Sequence, residues 1–322
     1  MYKVIITDSA FSTDGPERKA LEKHGCTLVR FQCATEEQLI EAGSGAKAAL
    51  VQYARITRRV LEAWPDCEII VRYGIGYDNV DIAAAAELGI QVCNVPSYCL
   101  DEVADHTSAL LLAALRKIVP FHRGVKQGVW DVEKIARPMQ AFGDTKIGLL
   151  GFGRIAVRVA ERLLPYRFQI MTFDPYANRD TAERMGVRVV GDLETLLKEA
   201  DAVSLHVPLT DETRHLMNER TISLMKPTAL LVNTSRGALI DSLALANALK
   251  ERRLGGAALD VVEHEPLPLN HPLASCENAI FTPHAAYYSE RSIERLQYQA
   301  AEEIVRWKTG EPLLSPVTLM KP

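Results

Sequence analysis

At 322 residues the chain is long enough for about two domains of roughly 150 residues each. Hydrophobic residues make up 48% and charged residues 24%, which is ordinary for a globular protein and excludes a disordered or fibrous chain. The formal net charge is −4, so a basic surface for nucleic acid is not expected. No apolar run approaches the roughly 18 residues of a membrane helix, and the N-terminus lacks the pattern of a secretory signal.

The cysteines occur without Cys-x-x-Cys spacing and without a neighbouring cluster of histidines. This pattern predicts no metal site, and reduced thiols are typical of a cytoplasmic protein. We therefore expect a cytoplasmic location, with neither nucleic acid nor membrane as a partner. The cysteines are Cys26, Cys33, Cys67, Cys93, Cys99 and Cys276.

Short apolar runs alternate with helical patterns through the first hundred residues. Continuous runs of Val, Ile and Leu are typical of strands buried in a parallel sheet, with the intervening helices as crossovers. This alternation predicts an α/β domain. The predicted strands are Val4–Thr7, Thr27–Phe31, Ala48–Gln52, Ile69–Arg72 and Gln91–Val95, and helices are predicted at Glu17–His24 and Asp81–Leu88.

A largely buried helix is predicted over Asp101–Lys117, followed by a polar, glycine-bearing segment over Gly124–Asp144. The alternation then restarts with about six strands, the number in a dinucleotide-binding sheet. A final helix is predicted over Glu290–Lys308, so two α/β domains are expected. The six strands are Lys146–Leu150, Gln169–Phe173, Arg188–Val190, Ala202–Val207, Ala229–Asn233 and Gly256–Asp260.

A glycine turn follows the first of these six strands. Lys146–Leu150 runs into Gly151-x-Gly153-x-x-Ala156 and then into an amphipathic helix. Gly151 permits the tight turn, Gly153 lets the backbone approach a pyrophosphate, and Ala156 lets the helix sit close to the strand. The start of that helix offers N–H groups and a positive dipole end to phosphates, so the pattern predicts a nucleotide site.

An acidic residue indicates which nucleotide is bound. Asp174 comes directly after the predicted strand Gln169–Phe173. A carboxylate there accepts hydrogen bonds from both ribose hydroxyls and repels a 2′-phosphate, which favours NAD over NADP. A methyltransferase that binds a nucleoside cofactor shares the glycine pattern, so the turn alone leaves the cofactor open.

Further motifs follow the glycine turn in a fixed order: Asn233-Thr-Ser-Arg-Gly237, Leu259-Asp-Val-Val-Glu-His-Glu-Pro266 and Thr282-Pro-His-Ala-Ala286. Together with the glycine turn, they resemble the D-isomer-specific 2-hydroxyacid dehydrogenase family, which includes glyoxylate, hydroxypyruvate and phosphoglycerate dehydrogenases. The segments similar to its C-terminal-binding-protein-like branch are Ile69–Asn79, Val92–Pro96 and His284–Glu290.

The resemblance implies an α/β protein with two doubly wound parallel-sheet domains. A Rossmann cofactor domain over residues 101–289 is expected to be inserted into a flavodoxin-like substrate domain of residues 1–100 and 290–322. The implied cofactor is NAD. The implied partners are a small 2-hydroxy or 2-keto acid and a second copy of the chain, bound as a homodimer through the cofactor domain.

The resemblance also assigns three catalytic roles, and each suits the chemistry. Interconverting a hydroxyl and a keto group requires an acid–base group that works near neutral pH, which points to histidine. The family pattern places this role on His284. Glu265 is expected to bond to His284, fixing its tautomer and stabilising its imidazolium, and Arg236 to bind the substrate carboxylate with its planar fork of donors.

The remaining site residues divide by ligand. For the substrate, contacts are expected from Arg72, Ile75, Gly76 and Tyr287, and a surface salt bridge is the alternative for Arg72. His206 is expected near the cofactor. The other expected cofactor contacts are Gly151, Gly153, Arg154, Ile155, Asp174, Val207, Pro208, Thr213, Thr234, Ser235 and, near the nicotinamide amide, Asp260.

Three positions differ from the C-terminal-binding-protein-like branch. That branch usually carries a hydroxyl where Ile75 and Val103 stand, so this chain lacks a side-chain hydrogen bond to cofactor or substrate at those two positions. It carries tryptophan where this chain has Tyr287, whose added hydroxyl favours a more polar substrate tail.

Two interpretations from different classes stay open. One is an NAD-dependent enzyme that interconverts a 2-hydroxy acid, expected to be the D-isomer, and its 2-keto acid by hydride transfer. The other is an NAD(H)-sensing, corepressor-like binding protein with weak dehydrogenase activity, since such proteins retain the same three polar residues. The sequence ends at Pro322, soon after its last predicted helix, so we expect no long tail for partners, and this favours the enzyme.

Overall fold

The computed structural model describes residues 2–317. Contacts between Cα atoms divide the chain into two compact units. The first unit contains the described residues up to Tyr98 together with those from Ser289 onward, and the second contains Cys99–Tyr288. Each unit has a parallel sheet of its own.

The strands of the first unit are β1 (Tyr2–Ile6), β2 (Cys26–Arg30), β3 (Ala48–Val51), β4 (Ile69–Arg72) and β5 (Gln91–Cys93). They are all parallel, in the order β2-β1-β3-β4-β5. Strand β3 is buried along its whole length, because helices cover both faces of such a sheet. This order is the flavodoxin-like form of the doubly wound fold.

The crossovers of this sheet contain α1 (Gly15–Leu21), α2 (Glu36–Ala42), α3 (Arg58–Glu62) and α4 (Ile82–Glu87). Helix α2 begins with a capping box. The Thr35 hydroxyl accepts a hydrogen bond from the Gln38 N–H, and the Gln38 side chain accepts one from the Thr35 N–H. These two bonds satisfy backbone donors that the first turn of a helix leaves unpaired.

The strands of the second unit are β6 (Lys146–Leu150), β7 (Gln169–Phe173), β8 (Arg188–Val189), β9 (Ala202–Leu205), β10 (Leu230–Asn233), β11 (Gly256–Leu259) and β12 (Ala279–Phe281). All are parallel, in the order β12-β11-β10-β9-β6-β7-β8. The direction of winding reverses between β9 and β6. At such a switch point, doubly wound sheets bind ligands beyond the carboxyl ends of their strands.

The helices of the second unit are α5 (Leu100–Leu115), α6 (Ile118–Lys126), α7 (Val132–Ala136), α8 (Arg154–Leu163), α9 (Arg179–Arg184), α10 (Leu193–Glu199), α11 (Glu219–Ser223) and α12 (Ser242–Lys250). Helices α5 and α8 share one hydrophobic core with β6, in which Ala156 is completely buried. A small residue at this point lets α8 lie close to the sheet. The chain then returns to the first unit with α13 (Glu290–Thr309), which packs against α1 and β4.

The predicted fold class of two doubly wound parallel-sheet domains is confirmed. The prediction of six strands in the second sheet is wrong, because β12 adds a seventh. Its three residues include the partly exposed Ile280 and the exposed Phe281, so it lacks the continuous apolar run that reveals a buried strand. The segment Gly124–Asp144 was not expected to be helical, yet it contains the end of α6 and all of α7.

Candidate active site

Three neighbouring strands of the second unit bring the predicted catalytic residues to one edge of the sheet. Strands β10, β11 and β12 are adjacent and parallel, so their carboxyl ends lie side by side. The loops that follow them carry Arg236, Glu265 and His284 respectively. This is the edge at which doubly wound sheets bind their ligands.

His284 and Glu265 form a hydrogen-bonded pair. The His284 Nδ1 lies 2.8 Å from the Glu265 Oε2, and the Glu265 Oε1 accepts a hydrogen bond from the Val262 N–H at 3.1 Å. The two side chains are 31% and 38% exposed, so both can be reached by a ligand. A carboxylate at Nδ1 holds a proton on that nitrogen, which leaves Nε2 to exchange a proton with a substrate.

The turn around this histidine is tied to a buried carboxylate. The Asp260 side chain has no exposed surface, and its oxygens accept hydrogen bonds from the Thr282 hydroxyl at 2.5 Å and from the N–H groups of Ala285 and Ala286 at 2.8 and 2.9 Å. Burial raises the pKa of this carboxyl, but hydrogen bonds, from His106 as well, outweigh burial and hold the pKa below its usual range.

Asp260, expected near the nicotinamide amide, has its side chain buried in this turn. Its carboxylate organises the turn from within, because it joins the Thr282 hydroxyl to the N–H groups of Ala285 and Ala286.

The turn that carries Arg236 is held by side-chain hydrogen bonds. The Asn233 Nδ2 donates to the Arg236 carbonyl at 2.7 Å, and the Asn233 Oδ1 accepts from the Ser235 N–H at 2.9 Å. A Cβ on Gly237 would lie 1.9 Å from the carbonyl carbon of Val262. Only glycine therefore lets this turn pack directly against the loop that carries Glu265.

The hydroxyls of Thr234 and Ser235, both predicted to lie along the dinucleotide, are bonded within the second unit. The Thr234 hydroxyl lies 2.7 Å from that of Thr107, and the Ser235 hydroxyl donates to the Leu205 carbonyl at 2.7 Å. Thr234 is only 8% exposed. These bonds connect the β10 loop to α5 and β9, and so fix the backbone that precedes the arginine.

The glycine turn has the geometry of a phosphate cradle. Gly151 has a φ of +92°, and a Cβ there would lie 2.8 Å from the His206 carbonyl oxygen, whereas a Cβ on Gly153 would meet open space. Helix α8 begins directly afterwards at Arg154, and no side chain caps its N-terminus. Its first N–H groups are therefore available to an anion, and Arg154 is exposed while Ile155 is half-buried.

Asp174 supports the same turn from the end of β7. Its Oδ2 accepts a hydrogen bond from the Phe152 N–H at 2.8 Å, and its Oδ1 accepts one from the Tyr176 N–H at 2.8 Å. The carboxylate is only partly buried. It therefore links the glycine turn to the edge of the sheet where a ribose is expected.

The loop after β9 contains three further predicted cofactor residues. Val207 is partly buried and Pro208 is exposed. The Thr213 hydroxyl donates to the Pro208 carbonyl and accepts from the Thr210 N–H, both at 2.7 Å, which gives the loop a defined shape. The loop lies beside the switch point, where the prediction requires it.

His206 precedes this loop and is neutral at ordinary pH. Burial lowers its pKa to about 4, because a charged imidazole loses its hydration there. Its Nε2 lies 2.9 Å from the Ser204 hydroxyl. His206 is therefore a poor acid–base group near neutral pH.

In the first unit, a glycine-rich loop follows β4. Gly74 has a φ of +138°, and a Cβ there would lie 1.8 Å from the Arg72 Nη1, so the guanidinium lies directly against the loop. The Asn94 Nδ2 donates to the Ile75 carbonyl at 2.6 Å. Ile75 and Gly76 are both partly exposed. The loop thus presents backbone N–H groups next to a cation, a combination suited to an anion.

Several functional candidates carry no recognisable sequence signal. Tyr53 is 53% exposed and follows β3, the neighbour of β4, so it belongs to the same edge as the glycine-rich loop. The Tyr73 hydroxyl, at the start of that loop, donates to the fully buried Glu17 at 2.7 Å. Glu17 also accepts from the Gln297 amide. Tertiary folding alone brings Tyr73, Glu17 and Gln297 together.

A second histidine–carboxylate pair lies close to the first in sequence. The His215 Nε2 is 2.6 Å from the Glu263 Oε1, and the Glu263 Oε2 accepts from the Ser242 hydroxyl at 2.5 Å. The pair braces the β11 loop, because Glu263 follows β11 and Ser242 is the first residue of α12.

Within residues 2–317, no group of three or more His, Cys, Asp and Glu side chains could hold a metal ion, and no helix is long and apolar enough to cross a membrane.

Comparison with known proteins assigns this arrangement to a family. Residues 108–286 match the model of the NAD-binding domain of D-isomer-specific 2-hydroxyacid dehydrogenases. The chain belongs to the D-isomer-specific 2-hydroxyacid dehydrogenase family. The predicted enzyme class, an NAD-dependent dehydrogenase of 2-hydroxy acids, and the predicted cofactor NAD are confirmed.

Individual relatives of this dehydrogenase match between 80% and 97% of its length. A glyoxylate reductase of Korarchaeum cryptofilum is 42% identical over 80% of this chain and 77% of its own length. A D-3-phosphoglycerate dehydrogenase of Methanocaldococcus jannaschii is 38% identical over 97% of this chain, which spans only 58% of that relative. The structure of a D-lactate dehydrogenase from Aquifex aeolicus with NAD and lactic acid has a TM-score of 0.84 at 28% identity, over 96% of each chain.

Proposed function

We propose that this enzyme interconverts a small 2-keto acid and its D-2-hydroxy acid, with His284 and Glu265 as the acid–base pair and Arg236 binding the carboxylate. The 2.8 Å contact between His284 and Glu265 is the observation that carries the proposal. During reduction, the His284 Nε2 gives a proton to the keto oxygen, and the nearby carboxylate stabilises the imidazolium that this step requires. During oxidation the same nitrogen removes the hydroxyl proton.

Arg236 offers two parallel donors to the substrate carboxylate. Its turn is fixed by Asn233 and packs on the Glu265 loop, so the backbone that carries the arginine is held against that loop. In the first unit, the loop of Arg72, Ile75 and Gly76 supplies backbone N–H groups and a second cation for the same kind of anion.

The cofactor residues fit a dinucleotide. The open space at Gly153 and the uncapped start of α8 suit the pyrophosphate, with Arg154 and Ile155 beside it, and Asp174 suits the adenosine ribose. The β9 and β10 loops supply the remaining contacts of the dinucleotide: Val207, Pro208, Thr213, Thr234 and Ser235. When bound, the nicotinamide supplies the hydride that adds to C2 of the substrate.

Glyoxylate is the first substrate to test, because a relative named glyoxylate reductase is 42% identical to this chain. Tyr287 lies near the acid–base group, with its ring centre 6.0 Å from that of His284 in an edge-to-face arrangement. Its phenol gives a polar and aromatic surface beside His284 that suits a short substrate tail such as that of hydroxypyruvate.

The enzyme is proposed to work as a cytoplasmic homodimer. Its six cysteines are free thiols, as is usual in a reducing compartment. In the second unit, helices α6 and α7 and the segment between them expose Ile118, Val125, Trp130 and Val132 by 55%, 49%, 87% and 64%, and such apolar patches are typical of interfaces. Trp130→Asp should lower the mass measured by light scattering to that of one chain.

The similarity to the C-terminal-binding-protein-like branch rests on the motifs quoted from the sequence and stays part of this proposal. It keeps the alternative of an NAD(H)-sensing corepressor with weak dehydrogenase activity. A panel of 2-keto acids, assayed by the loss of NADH absorbance, separates the two. We expect efficient turnover of at least one short 2-keto acid and loss of that turnover in His284→Ala. Turnover of every acid near the background rate, with tight NADH binding, would support the sensor instead.

A further inference from the structure

A hydrogen-bonded chain runs from helix α5 to the turn of the catalytic histidine. The His106 Nε2 lies 3.0 Å from the Thr282 hydroxyl and 3.4 Å from the Asp260 Oδ1, and the Thr282 hydroxyl lies 2.5 Å from the same Asp260 oxygen. His106 is 26% exposed at its side chain, whereas Asp260 is not exposed at all. Neither His106 nor Thr282 has a role in the chemistry described so far.

The directions of these bonds follow from the inventory of donors and acceptors. An ionised Asp260 accepts only, so the Thr282 hydroxyl uses its single proton to donate to Asp260. The Thr282 oxygen can then only accept, and His106 must present an N–H at Nε2. The chain therefore has one consistent arrangement, in which His106 donates to Thr282 and Thr282 donates to Asp260.

The end of this chain is the backbone of the catalytic turn. Asp260 accepts from the N–H groups of Ala285 and Ala286 through its side chain, and from the His284 N–H at 2.8 Å through its carbonyl. His284 itself has a φ of +52°, a left-handed conformation that is unfavourable for a non-glycine residue and persists only where its surroundings hold it. The Asp260 bonds supply that support.

From this geometry we propose that His106 is a positioning residue for His284, acting through Thr282 and Asp260. The proposal rests on the proposed catalytic role of His284. The His106 N–H holds the Thr282 hydroxyl in the rotamer that points to Asp260, and the fully bonded carboxylate then fixes the turn. Without this donor, the Thr282 hydroxyl can rotate, the buried carboxylate loses a partner, and the imidazole of His284 samples orientations that cannot transfer a proton.

The test uses His106→Leu, which removes the donor, and His106→Gln, whose amide can place an N–H near the position of Nε2. We expect His106→Leu to lower kcat about three- to tenfold, the range for one lost hydrogen bond, and His106→Gln to recover most of it. The KM for the 2-keto acid and the Kd for NADH should change by less than about twofold, because the change acts on the chemical step. His24→Leu, which replaces an exposed histidine of the first unit, serves as the matched control and should leave all three constants unchanged.

Thr282→Val provides the second arm, since it keeps the shape of the side chain and removes the hydroxyl. If His106 acts through Thr282, the double variant His106→Leu/Thr282→Val should lose no more kcat than Thr282→Val alone. Multiplying losses, or a His106→Leu enzyme with wild-type kcat, would overturn the inference. Should His106→Leu fail to fold, an inactive His106→Gln beside a fully active Thr282→Val would overturn it as well. Full activity of His284→Ala would instead show that the proposed function is wrong, so the two failures are distinguishable.

Discussion

Replacing Glu265 with glutamine removes the negative charge beside His284 and leaves the side-chain shape unchanged. In the wild type, one carboxylate oxygen accepts from the His284 Nδ1 at 2.8 Å and the other accepts from the Val262 N–H at 3.1 Å. A glutamine has one acceptor and one amide donor at these positions. Because the Val262 N–H can only donate, either one contact becomes a donor facing a donor or His284 moves its proton from Nδ1 to Nε2, and Glu265→Gln cannot reproduce the wild-type arrangement.

The size of the effect follows from the exposure of the pair. A hydrogen bond to a charged group contributes roughly 1.5–3 kcal/mol when it is well shielded. Because the two side chains are 31% and 38% exposed, water screens the pair, and the lower end of that range applies. About 1.4 kcal/mol corresponds to a tenfold change, so we expect kcat/KM for reduction to fall about tenfold at neutral pH.

The acid–base role also sets the direction of the pH dependence. Reduction consumes a proton from the imidazolium of His284, so its rate should fall as the pH rises, and oxidation should show the opposite limb.

The assay is a pair of pH–rate profiles for reduction and oxidation, measured where the chemical step limits the rate. Glu277→Gln is the matched control, because it removes an exposed carboxylate from the segment before β12 and should leave kcat/KM unchanged. A wild-type kcat/KM for reduction in Glu265→Gln would refute the reasoning, and Glu265 would then be a loop residue that braces Val262.

Two further changes test the cofactor and substrate sites, and a third tests how burial of His206 affects stability. Asp174→Ala should weaken NADH binding and narrow the preference for NADH over NADPH, because it removes both the ribose acceptor and the bond to the Phe152 N–H, and kcat/KM with each cofactor measures this. Arg236→Lys keeps the charge but loses the planar fork, so kcat/KM for the keto acid should fall by about tenfold or more while the Kd for NADH changes little. His206→Gln should make the free energy of unfolding less sensitive to acid. Between pH 6.5 and about 4 the histidine is protonated in the unfolded chain and neutral in the folded one, so it lowers the free energy of unfolding of the wild type by up to about 3 kcal/mol as the pH falls. Urea unfolding at pH 7 and pH 4.5 measures this difference.

Much of the cofactor site could be predicted because its signals are local. The strand before Gly151, the helix after it and the carboxylate at Asp174 are each readable within a few residues, and the fold places them together as the pattern requires. The strand β12 could not be predicted in the same way, because its three residues become a strand only by pairing with β11. The burial of the Asp260 side chain and its bonds to Thr282, Ala285 and Ala286 could not be predicted either. The family pattern gives a residue its place in the chain and not its hydrogen-bond partners.

The order of the strands explains why the three proposed catalytic residues, Arg236, Glu265 and His284, lie on neighbouring loops. From β10 to β12, chain order equals sheet order, so each successive motif lies one strand, about 4.8 Å, further from the switch point. Motifs in a fixed order along the chain therefore become neighbouring loops at one edge, whatever the lengths of the crossovers between them. The contact between His284 and Glu265 depends on the register of β12. A shift of β12 by one residue against β11 would move the loop of His284 by about 3.3 Å, which is enough to break its 2.8 Å contact with Glu265. The pairing of His284 with Glu265 therefore depends on β12, the short strand that the sequence does not predict.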